Sequence, residues 1–270
     1  MPRTVVITGA SSGVGLAAAE QFARRGDQVV IVGRSPDRMR DAVARVRDAG
    51  GGRAPGEFRA DFEVLDDVRR LAKHLLDTYP AIDVLANNAG GMVADHRRTV
   101  DGFEATVQSN HLAPFLLTSL LRDRLSGGRV VNTASRAHQR SSLDPADFTG
   151  SPETYSSWSA YGAGKAANIL FTAEAARRWP DVESVSFHPG VVRTNFGHGR
   201  AVRLFYRYAP FLTSPEKAGA LLVWLATTPV AELTNGAYYV GHRVTRPSAQ
   251  AADPAMAARL WDASAEAVGL

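Results

Sequence analysis

Short β-branched runs alternate with longer amphipathic stretches along this chain. TVVIT (4–8) reads as a buried strand and QVVIVG (28–33) as a second. Between them, a glycine-punctuated turn leads into a helix ending near Arg25. Ser35 and Pro36 form an N-cap and first-turn pair for a helix reaching Ala49. EFRAD (57–61) is a weaker third strand, followed by a helical pattern over 65–78. DVLAN (83–87) is a fourth strand. A long helical pattern covers 102–121 and contains Pro114, which predicts a kink. RVVNTAS (129–135) and SVSFH (184–188) are the fifth and sixth strands, with a helix over 156–178 between them. Helical patterns return near 201–208 and 215–226, and AYYVG (237–241) is a candidate seventh strand.

Strands that alternate with helices of this length form parallel βαβ units with right-handed crossovers. The chain carries no internal repeat, low-complexity segment or linker. The pattern therefore predicts one α/β domain over 1–270, a Rossmann-type doubly wound parallel sheet of about seven strands with helices on both faces. Residues 1–135 would be mainly the cofactor-binding half. Residues 136–270 would carry a catalytic helix, substrate loops and the C-terminal tail. Ligands of such sheets sit beyond the C-terminal strand ends, where most of the motifs below fall.

Composition narrows the function without naming it. Of 270 residues, 45% are hydrophobic and 21% charged, as in an ordinary globular protein, and the net charge is only +4. No block of basic residues marks a nucleic-acid surface. There is no cysteine, which removes disulfides, thiolate metal sites and thiol nucleophiles. The seven histidines are scattered without paired ligand spacing on a helix, so no metal is expected. No stretch reaches the ~18 apolar residues that span a bilayer, and the N-terminus lacks a signal-peptide pattern. A cytoplasmic location is the expectation.

The first strand ends in TGASSGVG, with glycines at 9, 13 and 15. Such a turn lets a pyrophosphate approach the backbone without meeting a Cβ, while the next helix aims free amides and its positive dipole end at the anion. Gly9, Ser11, Ser12, Gly13, Val14 and Gly15 are the expected cradle. The glycines alone also fit a plain tight turn; the strand before and the helix after favour the cradle. About 20 residues on, an acidic residue would hold the ribose of NAD. This chain has GRSPDR instead, with Arg34 and Arg38 where charge-assisted hydrogen bonds suit a 2′-phosphate. The expected cofactor is NADP(H); plain surface charge is the other reading of Arg34. Asp61, with Phe62 beside it, follows the third strand, and its carboxylate either accepts from an adenine amino group or caps the next helix. NNAG (87–90) brings Asn88, Ala89 and Gly90 past a flat ring.

Lysine is rare: Lys73, Lys165 and Lys217 stand against 28 arginines. Lys165 lies four residues after Tyr161, on the same helix face. A phenol with its free pKa of ~10 is a poor base at neutral pH, and a cation one turn away brings that pKa down. A compact ammonium does this and still reaches a ribose hydroxyl; a guanidinium is wider and suits the gap less. For an isolated pair, an exposed lysine beside a packed tyrosine is the competing reading. Ser135, at the end of the fifth strand, offers a hydroxyl to a substrate carbonyl and its developing oxyanion. Asn110, near Pro114, offers an amide to an ordered water beside Lys165.

Together these motifs resemble the short-chain dehydrogenase/reductase family. They run in order from Thr4 to Thr194: TGASSGVG, NNAG, Asn110, Ser135, Tyr161-Gly-Ala-Gly-Lys165 and HPGVVRT (188–194). The resemblance implies strand order 3-2-1-4-5-6-7 and catalysis by Asn110, Ser135, Tyr161 and Lys165. It also implies nicotinamide contacts at Pro189, Gly190, Val192 and Thr194, and a homo-oligomer. DGFEATVQSNHLAPFLLTSLL, RVVNTASRAH, SAYGAGKAANILF, HPGVVRTN and RLW (259–261) are similar to the retinol-dehydrogenase-like branch, which also has an Arg at the Arg34 position and prefers NADP. This chain departs at Ala134, where a serine is common, and in the long step from Ser135 to Tyr161, and no N-terminal membrane anchor is expected.

The expected reaction is hydride transfer between a nicotinamide and a carbonyl carbon on an apolar small molecule, with Tyr161 as acid and base. Ser135, His138, Gln139 and Phe205 are the expected substrate contacts. The segment RAVRLFYRYAPFLTSPEKAG (200–219) reads as a mobile lid over an apolar pocket; membrane-surface contact and plain core packing are its other readings. A C=C reductase on the same scaffold and a non-catalytic NADP-binding regulator are the alternative functions.

Overall fold

The structure, a computed structural model, describes residues 2–192 and 212–270. One sheet runs in the order β3-β2-β1-β4-β5-β6-β7-β8. Its strands are β1 (Thr4–Thr8), β2 (Gln28–Gly33), β3 (Gly56–Arg59), β4 (Val84–Asn87), β5 (Arg129–Thr133), β6 (Glu183–His188), β7 (Tyr238–Val240) and β8 (Arg243–Val244). The first seven are parallel and keep the expected order. The eighth is an addition: two residues that turn back antiparallel to β7, too short for a periodic signal.

The helices are α1 (Gly13–Arg24), α2 (Pro36–Ala49), α3 (Leu65–Thr78), α4 (Ala105–Val107), α5 (Ala113–Leu120), α6 (Ser157–Arg178), α7 (Pro215–Thr227) and α8 (Pro254–Val268). They cover both faces of the sheet, which is why the strands read as unbroken apolar runs. Val6, Val30, Val32, Leu85 and Val130 join one core with α3, α5, α6 and α8. Val5, Ile7, Val29, Ile31, Val84 and Val131 join the other with α1, α2 and α7. The helical pattern at 201–208 lies outside the described residues.

The kink expected at Pro114 is built one turn earlier. Proline has no N–H for the carbonyl four residues back, Asn110, and its ring crowds that carbonyl. The chain answers with a wider π-turn over Gln108–Leu112, where the Ala113 N–H reaches Gln108 O. Helix α8 has no counterpart in the sequence reading. Its signal was Asp253-Pro254, the same kind of pair as Ser35-Pro36. Asp253 Oδ1 accepts from Ala255 N at 2.9 Å, whereas the Ser35 hydroxyl makes no cap bond. Ser264 of α8 meets His111 Nε2 at 2.8 Å, and Phe115, Phe148 and Phe171 enclose that imidazole. Burial pushes the His111 pKa down to about 3, so the ring is neutral.

A buried polar chain fastens two helices to the middle of the sheet. Asn87 Nδ2 donates to Asn132 Oδ1 and Thr118 Oγ1, both at 2.9 Å, and Asn132 Nδ2 donates to Thr172 Oγ1 at 2.9 Å. Strands β4 and β5 are thereby tied to α5 and α6 inside the core. Asn132→Ala would strip Asn87 and Thr172 of one partner each where water cannot replace it. We expect a loss of roughly 2–4 kcal/mol, read as a lower denaturation midpoint at constant m-value. An unchanged midpoint would show that the chain is not coupled to the fold.

Candidate active site

A cleft of about 1110 Å³ opens along the C-terminal ends of the strands from β1 to β6. Arg34, Arg38, Asp61 and Phe62 line the part over β2 and β3, and Ser135, Tyr161, Lys165 and His188 the part over β5 and β6. In this sheet order β2 and β5 are three strand steps apart, about 14 Å. A dinucleotide lying across the switch point needs such a span.

Gly9, Ser11, Ser12, Gly13 and Val14 line the cleft, and a Cβ on Gly15 would stand 2.6 Å from both Gly9 O and Asn88 Nδ2. Gly9 has φ 65°, and a Cβ there would stand 2.8 Å from Ala89 Cα. The α1 N-terminus has no side-chain cap at Ser12, so its first amides face the cleft as a donor set for an anion. Thr8 holds the neighbouring strand in place: its hydroxyl donates to Ala86 O at 3.2 Å and accepts from the amides of Asn88 and Ala89, each at 3.0 Å. The Asn88 side chain donates back to Thr8 O at 3.0 Å. In NNAG the amide side chains thus tie strands together, and Ala89 and Gly90 offer the flat surface.

At the other end of the cradle, Arg34 reaches Asp61 at 3.4 Å and Glu63 at 3.3 Å, and Arg97 reaches Glu63 at 2.5 Å. Asp61 accepts from the Glu63 amide at 3.1 Å, so it caps its own turn, whereas Asp101 takes the first amide of α3, Leu65 N, at 2.9 Å. Arg38 also lines the cleft.

Lys165 is only 3% exposed. Its ammonium donates to Thr133 O at 3.1 Å and stands 5.4 Å from the Tyr161 ring centroid. Burial pulls the Lys165 pKa down to about 7. Asn110 Nδ2 donates to Gly91 O and Thr106 O, each at 2.7 Å, while its Oδ1 is buried without a partner. A Cβ on Gly90 would collide with that Oδ1 and come within 3.2 Å of Lys165 Nζ, so Gly90, Asn110 and Lys165 share one small space. Ser135 Oγ accepts from Ala137 N at 3.2 Å, which leaves the hydroxyl proton to donate elsewhere. Pro189, Gly190 and Val192 line the same end, and Thr194 and Phe205 lie outside the described residues.

His138 sits away from the cleft wall. It is fully buried, Ser248 N donates to its Nε2 at 3.2 Å, and its Nδ1 therefore carries the proton given to Ser135 O at 2.6 Å. It steadies the turn that presents Ser135. Gln139 is exposed and outside the lining set. Trp158, Met92, Val93, Glu63 and His188 line the cleft without having been singled out in the sequence. Two of them had a positional signal: Trp158 is one turn before Tyr161, and His188 directly precedes Pro189.

The arrangement fits a nicotinamide dinucleotide on its own features: an uncapped helix end, backbone where a Cβ would clash, and a buried ammonium beside an orphaned amide oxygen. A family model described as short chain dehydrogenase matches residues 3–201. A protein of Streptomyces sp. (strain C5), provisionally named as the daunorubicin C-13 ketoreductase DnrU, is 52% identical over 267 residues, covering 99% of this chain and 93% of its own. Human retinol dehydrogenase 13 is 33% identical over 281 residues, covering 99% and 85%. The crystal structure of an uncharacterized Mycobacterium paratuberculosis protein superposes with a TM-score of 0.81 at 33% identity, covering 99% and 93%. Among the described residues no helix is long and apolar enough to cross a membrane.

The buried ammonium has a measurable cost. Lys165 titrates near 7 in the folded chain against an ordinary 10.5. Between those values the unfolded chain binds a proton that the folded chain does not, so stability falls as pH drops from 10.5 to 7 and the deficit is complete below 7. Lys165→Met removes it. Thermal scans should show a Tm several degrees above the parent at pH 6, with the gain fading toward pH 10.5. A variant no more stable than the parent at pH 6 contradicts the buried cation.

Proposed function

Because this chain belongs to the short chain dehydrogenase family, in its retinol-dehydrogenase-like branch, we propose that it interconverts a carbonyl and an alcohol on an apolar small molecule, with NADP(H) as hydride partner and Tyr161 as acid and base. The observation that carries this reading is the meeting of Tyr161, Lys165, Ser135 and Asn110 at one end of a cleft whose other end is a dinucleotide cradle. A non-catalytic regulator has no need of a buried ammonium under a phenol. The relative named for ketone reduction is 52% identical, against 33% for the human retinol dehydrogenase, which favours a ketone as substrate.

When bound, the nicotinamide supplies the hydride to the carbonyl carbon, or takes it up in the reverse direction. Gly9, Ser11, Ser12, Gly13 and Val14 would hold the pyrophosphate, and Pro189, Gly190 and Val192 the nicotinamide. Ser135 donates its free hydroxyl proton to the substrate oxygen and orients it. Tyr161 gives that oxygen a proton. The Lys165 ammonium, in its low-dielectric pocket, stabilises the phenolate left behind and so lowers the phenol pKa. The Asn110 Oδ1, buried without a partner, provides an acceptor for a water that returns the proton to Lys165.

Arg34 and Arg38 would take the 2′-phosphate. A dianion there competes with Asp61 and Glu63 for a guanidinium those carboxylates already hold.

Three measurements test this reading. NADPH absorbance followed with a panel of ketones, aldehydes and enones should report turnover of ketones or aldehydes; oxidation with enones alone would assign C=C reduction instead. Tyr161→Phe should keep the fold and the cofactor Kd while kcat falls at least a hundredfold, and near-normal kcat removes Tyr161 from proton transfer. NADPH should exceed NADH in kcat/KM, and Arg34→Ala should cut that preference at least tenfold; equal use of both cofactors by the parent chain rejects NADP specificity.

A further inference from the structure

The catalytic end of the cleft has a wall that the reaction chemistry does not use. Trp158 stands in the first turn of α6, one turn before Tyr161, and its ring lies 6.1 Å from the Tyr161 ring at 44°. It is 51% exposed while lining the cleft. The other tryptophans are placed differently. Trp179 packs on Trp261 at 4.9 Å, Trp261 also on Phe115 at 5.1 Å, and Trp224 on His242 at 4.6 Å. An indole half open to water in the free protein recovers hydrophobic free energy when a ligand covers it.

The neighbours define what kind of ligand. Met92, Val93 and Val191 line the cleft, and Val191 is 42% exposed. Methionine adapts its shape and makes favourable contacts with ring edges. The charged lining residues Arg34, Arg38, Asp61 and Glu63 belong to the β2–β3 end, Arg97 is paired with Glu63 at 2.5 Å, Lys165 is buried, and burial pushes the His188 pKa down to about 4, so that ring is neutral. Trp158 therefore offers a π-face beside the phenol, in a cleft whose lining also includes Met92, Val93 and Val191.

Resting on the carbonyl–alcohol reading above, we infer that Trp158 is a specificity-determining residue and that the preferred substrate is a neutral ketone conjugated to a flat aromatic ring system. The ring system stacks on the indole, and the carbonyl is thereby delivered between Ser135 and Tyr161. An aliphatic ketone of similar carbon count presents no flat face and gains less from the same wall.

The test compares 2-acetylnaphthalene with 2-dodecanone in the parent chain, Trp158→Ala and Trp158→Phe. The parent should prefer the naphthyl ketone in kcat/KM. In Trp158→Ala the naphthyl-to-aliphatic ratio should fall at least tenfold, mainly through KM, and Trp158→Phe should restore most of it. A ratio within twofold of the parent in Trp158→Ala, or equal losses for both ketones, overturns the inference. Calorimetric binding of 2-acetylnaphthalene in the presence of NADP⁺, where no reduction occurs, separates this inference from the reaction it rests on. Binding that weakens at least tenfold in Trp158→Ala supports the stacking wall even if neither ketone is reduced. Turnover of ketones with Trp158-independent binding keeps the reaction and rejects the wall, as does absence of binding to the parent chain.

Discussion

A cation held under a phenol, out of water, is the interaction on which the rest of this structure depends. Lys165 has lost its hydration and has received in return a backbone carbonyl, Thr133 O. A carboxylate partner would have stabilised the ammonium better but cancelled its field. A carbonyl leaves most of the field available to the Tyr161 ring 5.4 Å away, and the low dielectric of the pocket strengthens it. The depressed pKa of the lysine follows from the same arrangement. The site holds its charge only marginally before an anionic dinucleotide arrives, and a negative ligand nearby favours the protonated ammonium.

Keeping that lysine buried places demands on the surroundings. Helix α6 passes through the core on small residues; a Cβ on Gly164 would come within 3.1 Å of Asn110 Cβ, and one on Gly162 within 2.7 Å of Ser141. The π-turn brings Asn110 to the same place, and its cause is a proline four residues on. Buried asparagines and threonines fasten α5 and α6 to β4 and β5. Each of these features is locally unfavourable or neutral, and each is compensated by contact with the next.

Much of this was legible in the amino-acid order. The seven parallel strands announce themselves because both sheet faces are covered, so the apolar runs are unbroken. Helix α3 was read at 65–78 because its apolar stripe is clean. Spacing pairs Tyr161 with Lys165 and a strand end presents Ser135, whereas the grouping with Asn110 rests on the family resemblance. What was hidden has physical reasons. Helix α8 is rich in alanine, whose small side chain blurs a periodic stripe. Strand β8 is two residues of edge pairing. The ion pairs of Arg34 with Asp61 and Glu63 join residues 27 and 29 positions apart through the fold, which no local pattern encodes. His138, expected as a substrate contact, instead sits on a tight turn that sends its ring inward to bind the Ser135 carbonyl.

The bond between Ser264 and His111 has a consequence in time. These residues are 153 positions apart, and His111 is the immediate neighbour of Asn110. At a synthesis rate of 5–20 residues per second, the imidazole waits about 8–30 s on the ribosome before its hydroxyl partner exists. The dinucleotide cradle waits as well: helix α1 packs on α7, where Gly219 lies against Ala17 and Ala18, roughly 200 positions away. Both ends of the cleft are therefore backed by helices from the last quarter of the chain, so neither reaches its final packing until synthesis is nearly over.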